Sequence, residues 1–263
     1  RFVFPNMMTA EPKGRGSNSL KDRFLDDAKL KRAIRICFEF REGNHLVYPT
    51  AMRRALELVT GENVQNFKNQ NARAIAEHLC PVMFGNIYDY SAGYGGRLLG
   101  ITASNMRYNY TGIDPNTETI KYLNYLNTLV DNPGAIVQNV SEDYQPEDID
   151  LAFSSPPYFN LEKYSDEDTQ CMVRYRTLDE WFSGYVEPTM ENIYRGLNKQ
   201  GLFATNIADY KSYDRKEPYE VCERWIQTAE KVGFRFNGMI KMMLNTRPGV
   251  GNDKLAGREK FEG

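Results

Sequence analysis

The feature that most limits the possible folds is an alternation of short apolar runs with amphipathic stretches, which begins at Asn86. Six runs are typical of β-strands: 86–90, 108–114, 135–140, 149–154, 201–208 and 234–244. Apolar residues at helical spacing predict helices between them, at 96–104, 116–131, 179–198 and 217–232. This alternation predicts an open, doubly wound α/β sheet of mostly parallel strands, because each parallel pair needs a crossover connection.

The residues before this alternation are predicted to be helical. Apolar side chains recur at helical spacing over 30–38 and 52–59, and a third stretch at 69–79 ends before Cys80-Pro81. We therefore expect a helical N-terminal extension over 1–64 and a sheet domain over 65–263. The final stretch, RPGVGNDKLAGREKFEG, is polar and rich in glycine. We expect the last strand of the sheet to be truncated there.

Composition argues against several classes of protein. The four scattered cysteines form no CxxC pair and have no histidine at ligand spacing, which predicts reduced thiols in a cytoplasm and no metal site. No run approaches the roughly 20 apolar residues of a membrane span, and the first residues lack the apolar core of a signal peptide. The two histidines stand apart, so catalysis is expected to proceed without histidine.

The formal net charge of −2 conceals a regional asymmetry. Residues 1–86 carry 14 Lys and Arg against 9 Asp and Glu, and residues 211–263 carry 11 against 8. Residues 87–210 carry 8 against 18. Basic ends around an acidic centre are consistent with phosphate contacts outside a site for a cationic cofactor. Solvent-exposed faces of unequal sign explain the same counts.

A glycine-rich turn follows the first predicted strand of the sheet. The strand NIYDY, which contains Asp89, leads into SAGYGGR at 91–97. In a doubly wound sheet, ligands bind where the first strand turns into its helix, and glycines let a nucleotide approach the backbone. Asp114 closes the next strand, 19 residues after Gly95, a spacing from which a carboxylate commonly holds ribose hydroxyls. A purely structural turn is the alternative.

An acid before the glycines favours a cationic ligand over a pyrophosphate. This preference points to S-adenosylmethionine, whose sulfonium and amino groups are both positive, rather than to NAD. We therefore expect the first turn to hold the methionine part of the cofactor and Asp114 to hold its ribose. The expected contacts in the first turn are Asp89, Ser91, Gly93 and Gly95.

The fourth predicted strand ends in Ser155-Pro156-Pro157-Tyr158. Two consecutive prolines lack N–H donors and cannot continue a sheet ladder, so they form a stiff loop at the functional edge. Their carbonyl groups stay available as acceptors, while Ser155 adds a hydroxyl and Tyr158 an aromatic face. This set suits an extrahelical base, which stacks on the aromatic ring while its amine donates to the carbonyl and the hydroxyl.

Together the two motifs resemble those of the S-adenosylmethionine-dependent amino-methyltransferases of DNA. The signatures of that family are D-P-x-x-G-x-G at the first strand and (D/N/S)-P-P-(Y/F/W) at the fourth. The resemblance covers about residues 65–245, and its motif order is similar to the gamma arrangement. The stretches YTGIDPN and SPPYFNLEKYSDEDTQ also resemble phage and large-virus members. Tyr90 stands where the family has proline, and Ser155 where Asp or Asn is commoner.

The resemblance implies a Rossmann-like, seven-stranded sheet and S-adenosylmethionine as cofactor. It implies methylation of the exocyclic amine of a base flipped out of duplex DNA, with adenine and cytosine equally open. Ser155 and Pro156 are implied to position that amine, and Tyr158 to stack on the base. Asp143, with Glu142 as an equal alternative, is implied to accept from the cofactor's adenine. Phe67 resembles a residue that helps to wrap the cofactor, with a core aromatic as the alternative.

Other interpretations stay open. Methyltransferases of RNA adenine or of a protein glutamine amide present the same planar amine, and a non-catalytic nucleic-acid-binding relative would keep the fold. The polar segment 160–177 is a candidate lid or substrate reader, with a solvated acidic loop as the plainer interpretation. Asn206 and Asp209 are expected to serve as caps. Sequence specificity is expected to require the N-terminal third, the segment 160–177, a missing segment or a partner protein, in the cytoplasm of a bacterium or a phage-infected cell.

Overall fold

A computed structural model describes residues 4–12, 18–39, 47–60, 63–211 and 216–242 of the chain. The chain divides into two compact units. The larger comprises Arg1–Ser19 and Val64–Phe236, and the smaller comprises Leu20–Asn63 and Asn237–Gly263. The segment before Leu20 thus belongs to the unit that holds the sheet, because Phe4 is buried there, edge-on to Tyr94 at 5.6 Å.

The smaller unit contains three helices in its described part: α1 (Leu20–Leu25), α2 (Asp27–Glu39) and α3 (Pro49–Thr60). The helices predicted over 30–38 and 52–59 are therefore confirmed. Arg23 is buried between them, and its Nη1 donates to the carbonyl oxygen of Leu56 at 3.3 Å and to Asn63 Oδ1 at 2.9 Å. These two acceptors offset the cost of removing the guanidinium from water.

Seven helices in the described part of the larger unit surround the sheet: α4 (Asn69–Leu79), α5 (Gly96–Thr102), α6 (Thr117–Leu129), α7 (Cys171–Arg174), α8 (Leu178–Trp181), α9 (Glu187–Gly196) and α10 (Cys222–Val232). A π-helical turn at Phe182–Val186 joins α8 to α9, so the helix predicted at 179–198 is nearly continuous. Short 3-10 turns lie at Pro5–Met8 and Ser141–Asp143. None of the described helices is long and apolar enough to cross a membrane.

The sheet has five strands in the described part of the chain: β1 (Asn86–Asp89), β2 (Asn109–Asp114), β3 (Ile136–Gln138), β4 (Ile149–Ser154) and β5 (Leu197–Thr205). Their order is β3-β2-β1-β4-β5, and every neighbouring pair is parallel. The chain moves from β1 outward to β3 and then returns to place β4 on the other side of β1. This reversal creates a switch point between β1 and β4, where ligands bind in sheets of this kind.

Alternate residues of the strands pack against opposite layers of helices. On one face, Ile87 and Leu151 belong to a core with Leu98 of α5. On the other, Tyr88 and Ala152 pack with residues that include Ile193 of α9. Burial on both faces explains why these strands read as nearly continuous apolar runs.

The predicted strand at 234–244 is wrong where the chain is described, because residues 234–242 pair with no strand. Its apolar residues are instead largely exposed: Phe236 by 47%, Met239 by 78% and Ile240 by 62%. A strand-like composition forms a strand only when an edge pairs with it. The described part of the sheet therefore has five strands rather than the seven that the resemblance implies.

Candidate functional site

The glycine turn and the Pro-Pro turn lie side by side at the carboxyl edge of the sheet. β1 ends at Asp89 and the neighbouring β4 ends at Ser154, whose Oγ donates to Asp89 Oδ1 at 2.6 Å. The carboxyl ends of parallel strands share one edge, so two motifs 65 residues apart become adjacent. The two motifs that sequence reasoning singled out thus meet in one place.

The Asp89 carboxylate is completely buried and is engaged by donors from the protein itself. Arg97 Nε donates to Oδ2 at 2.7 Å, and the Tyr110 hydroxyl donates to the same oxygen at 2.6 Å. Ser91 N and Ser154 Oγ donate to Oδ1. This carboxylate therefore holds the turn in shape, and its contact with a cofactor stays a prediction. Sequence reasoning missed Arg97, for which the motif supplied no signal beyond its position in the turn.

The residues after Asp89 are also tied into the fold. The Ser91 hydroxyl donates to the carbonyl oxygen of Tyr90 at 2.7 Å and lies 3.0 Å from the Tyr185 hydroxyl. Tyr90, at the position of the family's proline, is buried, and its hydroxyl lies 2.7 Å from Thr205 Oγ1. The Tyr90 side chain therefore bridges β1 to the end of β5, which a proline at this position cannot do.

The glycines of the turn have the backbone conformation that their sequence position predicts. Gly93 has φ of +55° and Gly95 has φ of +72°, values that L side chains rarely adopt. An added Cβ at Gly93 would meet only the Ser91 carbonyl oxygen, at 3.9 Å, so the backbone there faces open space. The turn thus presents bare main chain to a ligand at Gly93. Gly95 is covered by the core instead, because an added Cβ would lie 2.6 Å from Leu126 Cδ2 and 3.3 Å from Leu123 Cδ2, and its contact with a cofactor stays a prediction.

Gly96 is required for a different reason, the close approach of the segment that contains Phe67. An added Cβ would lie 2.1 Å from the Phe67 carbonyl oxygen and 2.6 Å from Asn66 Oδ1. Gly96 N donates to that same Oδ1 at 3.1 Å, and Asn66 Nδ2 donates to the Tyr94 carbonyl oxygen at 2.8 Å. The Phe67 ring packs at 5.7 Å on Phe153, as a core aromatic does, and its role in wrapping a cofactor stays a prediction.

We expect Gly96→Ala to lower the free energy of unfolding by about 1–3 kcal/mol, because the new methyl group must displace backbone. Urea unfolding with an unchanged slope measures this loss. A variant within 0.5 kcal/mol of the wild type, roughly the spread of neutral surface changes, would contradict the close approach of Phe67.

Asp114 connects the end of β2 to the glycine turn. Its Oδ2 accepts from Gly93 N at 3.0 Å, and its Oδ1 accepts from Asn116 N at 2.9 Å. Burial raises the pKa of this carboxyl to about 7, against the effect of the two N–H donors, and the nearby charge of Asp89 raises it further. The group is half-buried, so it keeps an accessible face at the sheet edge.

The structure distinguishes the two candidates for the adenine contact. Glu142 accepts from Arg174 Nη1 at 2.9 Å and from the Tyr175 hydroxyl at 2.7 Å, and its side chain is only 6% exposed. Asp143 is 65% exposed and lies 3.9 Å from Arg174. Only Asp143 of this pair therefore offers an open carboxylate, although its contact with an adenine stays a prediction.

The Pro-Pro turn is supported by the segment that follows β5. Asn206 Nδ2 donates to Ser155 Oγ at 2.9 Å, and Ala208 N donates to the Tyr158 hydroxyl at 3.0 Å. The Tyr158 ring packs edge-on against Tyr210 at 5.0 Å. Burial raises the pKa of Tyr158 to about 12, so its hydroxyl is neutral near pH 7. Of the two prolines, Pro156 is buried and Pro157 is half-buried.

The two residues that were expected to serve as caps differ in what they do. Asp209 Oδ1 accepts from Val221 N at 2.8 Å and Cys222 N at 2.9 Å, so its role as a cap at the start of α10 is confirmed. The expectation for Asn206 was wrong, because its side chain bonds Ser155 rather than a helix end. No sequence pattern could have separated these two polar residues.

The segment 160–177 is anchored at the carboxyl edge of the sheet rather than free in solvent. The Tyr164 ring packs edge-on against Tyr94 of the glycine turn at 6.4 Å. Both Glu167 carboxylate oxygens lie 3.3 Å from Thr117 N, at the start of α6. The plainer interpretation, a solvated acidic loop, is therefore wrong for these residues.

Two further attachments hold the same segment. Lys163 and Glu11 form a backbone bridge, with N–O distances of 2.8 and 3.0 Å. Near the other end of the segment, Arg174 and Tyr175 bind Glu142. The segment thus runs from the Pro-Pro turn past the glycine turn to the 3-10 turn after β3. Among the described residues, no group of His, Cys, Asp and Glu could hold a metal ion.

Neither a protein-family model nor a curated protein matches the chain. Several solved structures are similar to it in fold. A TehB-like SAM-dependent methyltransferase from Corynebacterium glutamicum is 19% identical over 70% of this chain and 80% of its own, with a TM-score of 0.41. Aeropyrum pernix fibrillarin, in complex with natively bound S-adenosyl-L-methionine, is 14% identical over 59% of each chain, with a TM-score of 0.40.

A third similar structure is precorrin 8W decarboxylase from Methanobacterium thermoautotrophicum. It is 15% identical over 65% of this chain and 76% of its own, with a TM-score of 0.44. Similarity at this level carries no argument about the activity of this protein, which has to be inferred from the site itself.

Proposed function

We propose that this protein transfers a methyl group from S-adenosylmethionine to the exocyclic amino group of an adenine or cytosine flipped out of duplex DNA. The observation that carries the proposal is the 2.6 Å hydrogen bond from Ser154 to Asp89. It holds a stiff turn suited to a planar amine beside a glycine turn suited to a nucleotide-like cofactor. A cofactor bound at the glycine turn and a base bound at the Pro-Pro turn would therefore lie next to each other at the switch point of the sheet.

The donor set on the cofactor side fits S-adenosylmethionine. The backbone at Gly93 faces open space, because an added Cβ there would meet only the Ser91 carbonyl oxygen at 3.9 Å. The Asp114 carboxylate would accept from the ribose hydroxyls and Asp143 from the adenine amine. When bound, the cofactor supplies an electrophilic methyl group on a cationic sulfur. The negative charge of Asp114 near this edge favours a cationic ligand, whereas that of Asp89 is compensated by Arg97.

The Pro-Pro turn supplies acceptors for the substrate amine. Asn206 occupies one lone pair of Ser155 Oγ and leaves the second lone pair for an amine hydrogen. The Pro156 carbonyl oxygen would accept the other hydrogen, because no backbone N–H in the described part of the chain donates to it. Two accepted hydrogens favour a pyramidal nitrogen and expose its lone pair. The contribution of this turn is positioning and electrostatics.

The basic ends of the chain support DNA as the substrate, because a duplex is bound largely through its phosphates. Residues 1–86 carry five more Lys and Arg than Asp and Glu (14 against 9). RNA adenine and protein glutamine amides present the same amine chemistry to the turn. A partner protein that supplies sequence specificity is compatible with this arrangement.

The test is the transfer of tritiated methyl groups from S-adenosylmethionine to separate pools of duplex DNA, RNA and protein. We expect label in DNA, with affinity for DNA that falls linearly with the logarithm of salt concentration. Label found only in RNA, or only in protein, would show that this class of molecule is the substrate and that DNA is not. No label in any pool, with cofactor bound, would favour a non-catalytic binding protein.

We expect Tyr158→Ala to lower kcat/KM for the nucleic acid by roughly 5- to 150-fold, the equivalent of about 1–3 kcal/mol of stacking. Tyr158→Phe keeps the ring and loses only the acceptor for Ala208 N, so it should retain most activity. The dissociation constant for cofactor should stay near the wild-type value in both. Equal losses in both variants, together with weaker cofactor binding, would show that Tyr158 is structural.

A further inference from the structure

Glu162 lies on the segment that connects the two turns of the site, four residues after Tyr158. The Tyr164 hydroxyl donates to Glu162 Oε2, and the Tyr164 ring packs on Tyr94 of the glycine turn at 6.4 Å. The chain therefore leaves the Pro-Pro turn, passes Glu162, and contacts the glycine turn two residues later, at Tyr164. This path places the Glu162 carboxylate between the proposed sites for the base and for the cofactor.

The charge of Glu162 is felt on both sides of the site. It raises the pKa of Tyr94 in the glycine turn and that of Tyr158 in the Pro-Pro turn. Asp209 also acts on Tyr158, but its Oδ1 already caps α10. Of the carboxylates in the described part of the chain, Glu162 is thus the one whose charge acts on both Tyr94 and Tyr158.

The hydrogen-bonding state of Glu162 also separates it from a structural carboxylate. Among the described residues, Tyr164 is its hydrogen-bond donor, and neither Lys nor Arg forms an ion pair with it. Its Oε1 therefore has capacity to accept a proton from a ligand. Lys163, next to it in sequence, is directed instead to Glu11 and Asp166, at 3.3 and 2.6 Å.

We propose that Glu162 is the proton acceptor of the methyl transfer, a catalytic residue that takes a proton from the methylated amino nitrogen. This assignment rests on the proposed function. The nitrogen lone pair forms the new N–CH3 bond while the C–S bond breaks and its electron pair returns to sulfur. An N–H bond of the cationic nitrogen then breaks, its electron pair stays on nitrogen, and the proton goes to Oε1 of Glu162 and later to water. Ser155 is too weakly basic for this step.

The ionisation of Glu162 agrees with this role. Burial raises its pKa to about 7, against the opposing effect of the Tyr164 hydroxyl. A base is most effective when its pKa lies near the working pH. The titratable groups around it are Tyr94 in the glycine turn, Asp114 at the end of β2, Tyr158 in the Pro-Pro turn and Tyr164 on its own segment. The raised pKa values keep the three tyrosines neutral, so only Asp114 titrates in the same range.

The experiment measures kcat across pH 5.5–8.5 with cofactor and DNA both saturating, so that titration of Asp114 in cofactor binding does not contribute. For the wild type we expect kcat to rise tenfold per pH unit below about pH 7 and to level off above it, because the carboxylate is the active form. Glu162→Gln should lower the plateau by about 10²- to 10³-fold and remove the acid limb. The control Asp168→Asn, an exposed carboxylate on the same segment, should match the wild type.

A second variant tests the assignment without removing the carboxylate. Tyr164→Phe deletes the donor that lowers the pKa of Glu162, so the acid limb should move to higher pH while the plateau remains. If the wild type is active and kcat of Glu162→Gln still rises with pH below about pH 7, the assignment of Glu162 is wrong, while the proposed function stands. A Gln variant whose cofactor affinity falls as much as its kcat also overturns the assignment. A wild type that transfers no methyl group overturns the proposed function and the assignment together.

Discussion

Asp89→Asn is expected to lower the free energy of unfolding by about 3–5 kcal/mol, the cost of breaking a buried ion pair by removing one partner. The substitution leaves the Arg97 guanidinium, only 5% exposed, without its counter-charge. It also places an amide NH2 group among donors that now converge on the carboxylate from Arg97, Tyr110 and Ser154. Urea unfolding of the variant, at constant slope, measures the loss.

The matched control is Asp179→Asn, which removes the carboxylate of an exposed ion pair with Arg224. The Asp179 side chain is 86% exposed, and exposed pairs contribute less than about 1 kcal/mol. The Asp89 effect should exceed the Asp179 effect several-fold. Equal effects would contradict the structural role of Asp89. A stable Asp89→Asn variant that loses only cofactor affinity would show that Asp89 contacts the cofactor instead.

Asp114→Asn is expected to weaken cofactor binding by roughly 10- to 150-fold, because two charge-assisted hydrogen bonds to the ribose become neutral ones, a loss of about 1.5–3 kcal/mol. The amide keeps an oxygen to accept from Gly93 N but turns its NH2 group toward Asn116 N, so we expect a local loss of stability and a fold that persists. The wild-type affinity should also depend on pH. The pKa of about 7 means that protonation below pH 7 removes the charged acceptor.

The dissociation constant of the wild type should therefore rise about tenfold for each pH unit below 7 and stay level above it, whereas that of Asp114→Asn should be flat. Calorimetric titration with S-adenosylmethionine at pH 5.5–8.5 measures both. A wild-type dissociation constant that does not change over this pH range would contradict the assignment of Asp114 to the ribose. The same experiment with Asp168→Asn should reproduce the wild-type curve.

Much of the fold follows from local patterns in the sequence. Five of the six predicted strands are confirmed. The pattern is clearest in the central strands β1 and β4, because burial on both faces makes them nearly continuously apolar. The meeting of the two turns was also predictable, since parallel strands end at one edge. The segment 234–242 shows the limit of such patterns, because pairing depends on an edge supplied by distant residues.

Contacts between side chains far apart in sequence were beyond prediction. Nothing local to Asp89 indicates that Arg97, Tyr110 and Ser154 all converge on it. In the same way, the polar segment 160–177 reads as a solvated loop until its contacts are seen. The sequence does not show that Tyr164 anchors this segment, because the ring it packs against, Tyr94, lies 70 residues away in the chain.

The most direct test of the proposed site is the identity of the atom that is methylated. The protein is incubated in excess over S-adenosylmethionine with duplex DNA, the DNA is hydrolysed to nucleosides, and the products are identified by mass spectrometry. A turn that accepts both hydrogens of an exocyclic amine predicts N6-methyldeoxyadenosine or N4-methyldeoxycytidine, in an amount equal to the S-adenosylhomocysteine formed. A methyl group on a ring carbon, as in 5-methyldeoxycytidine, would contradict the account.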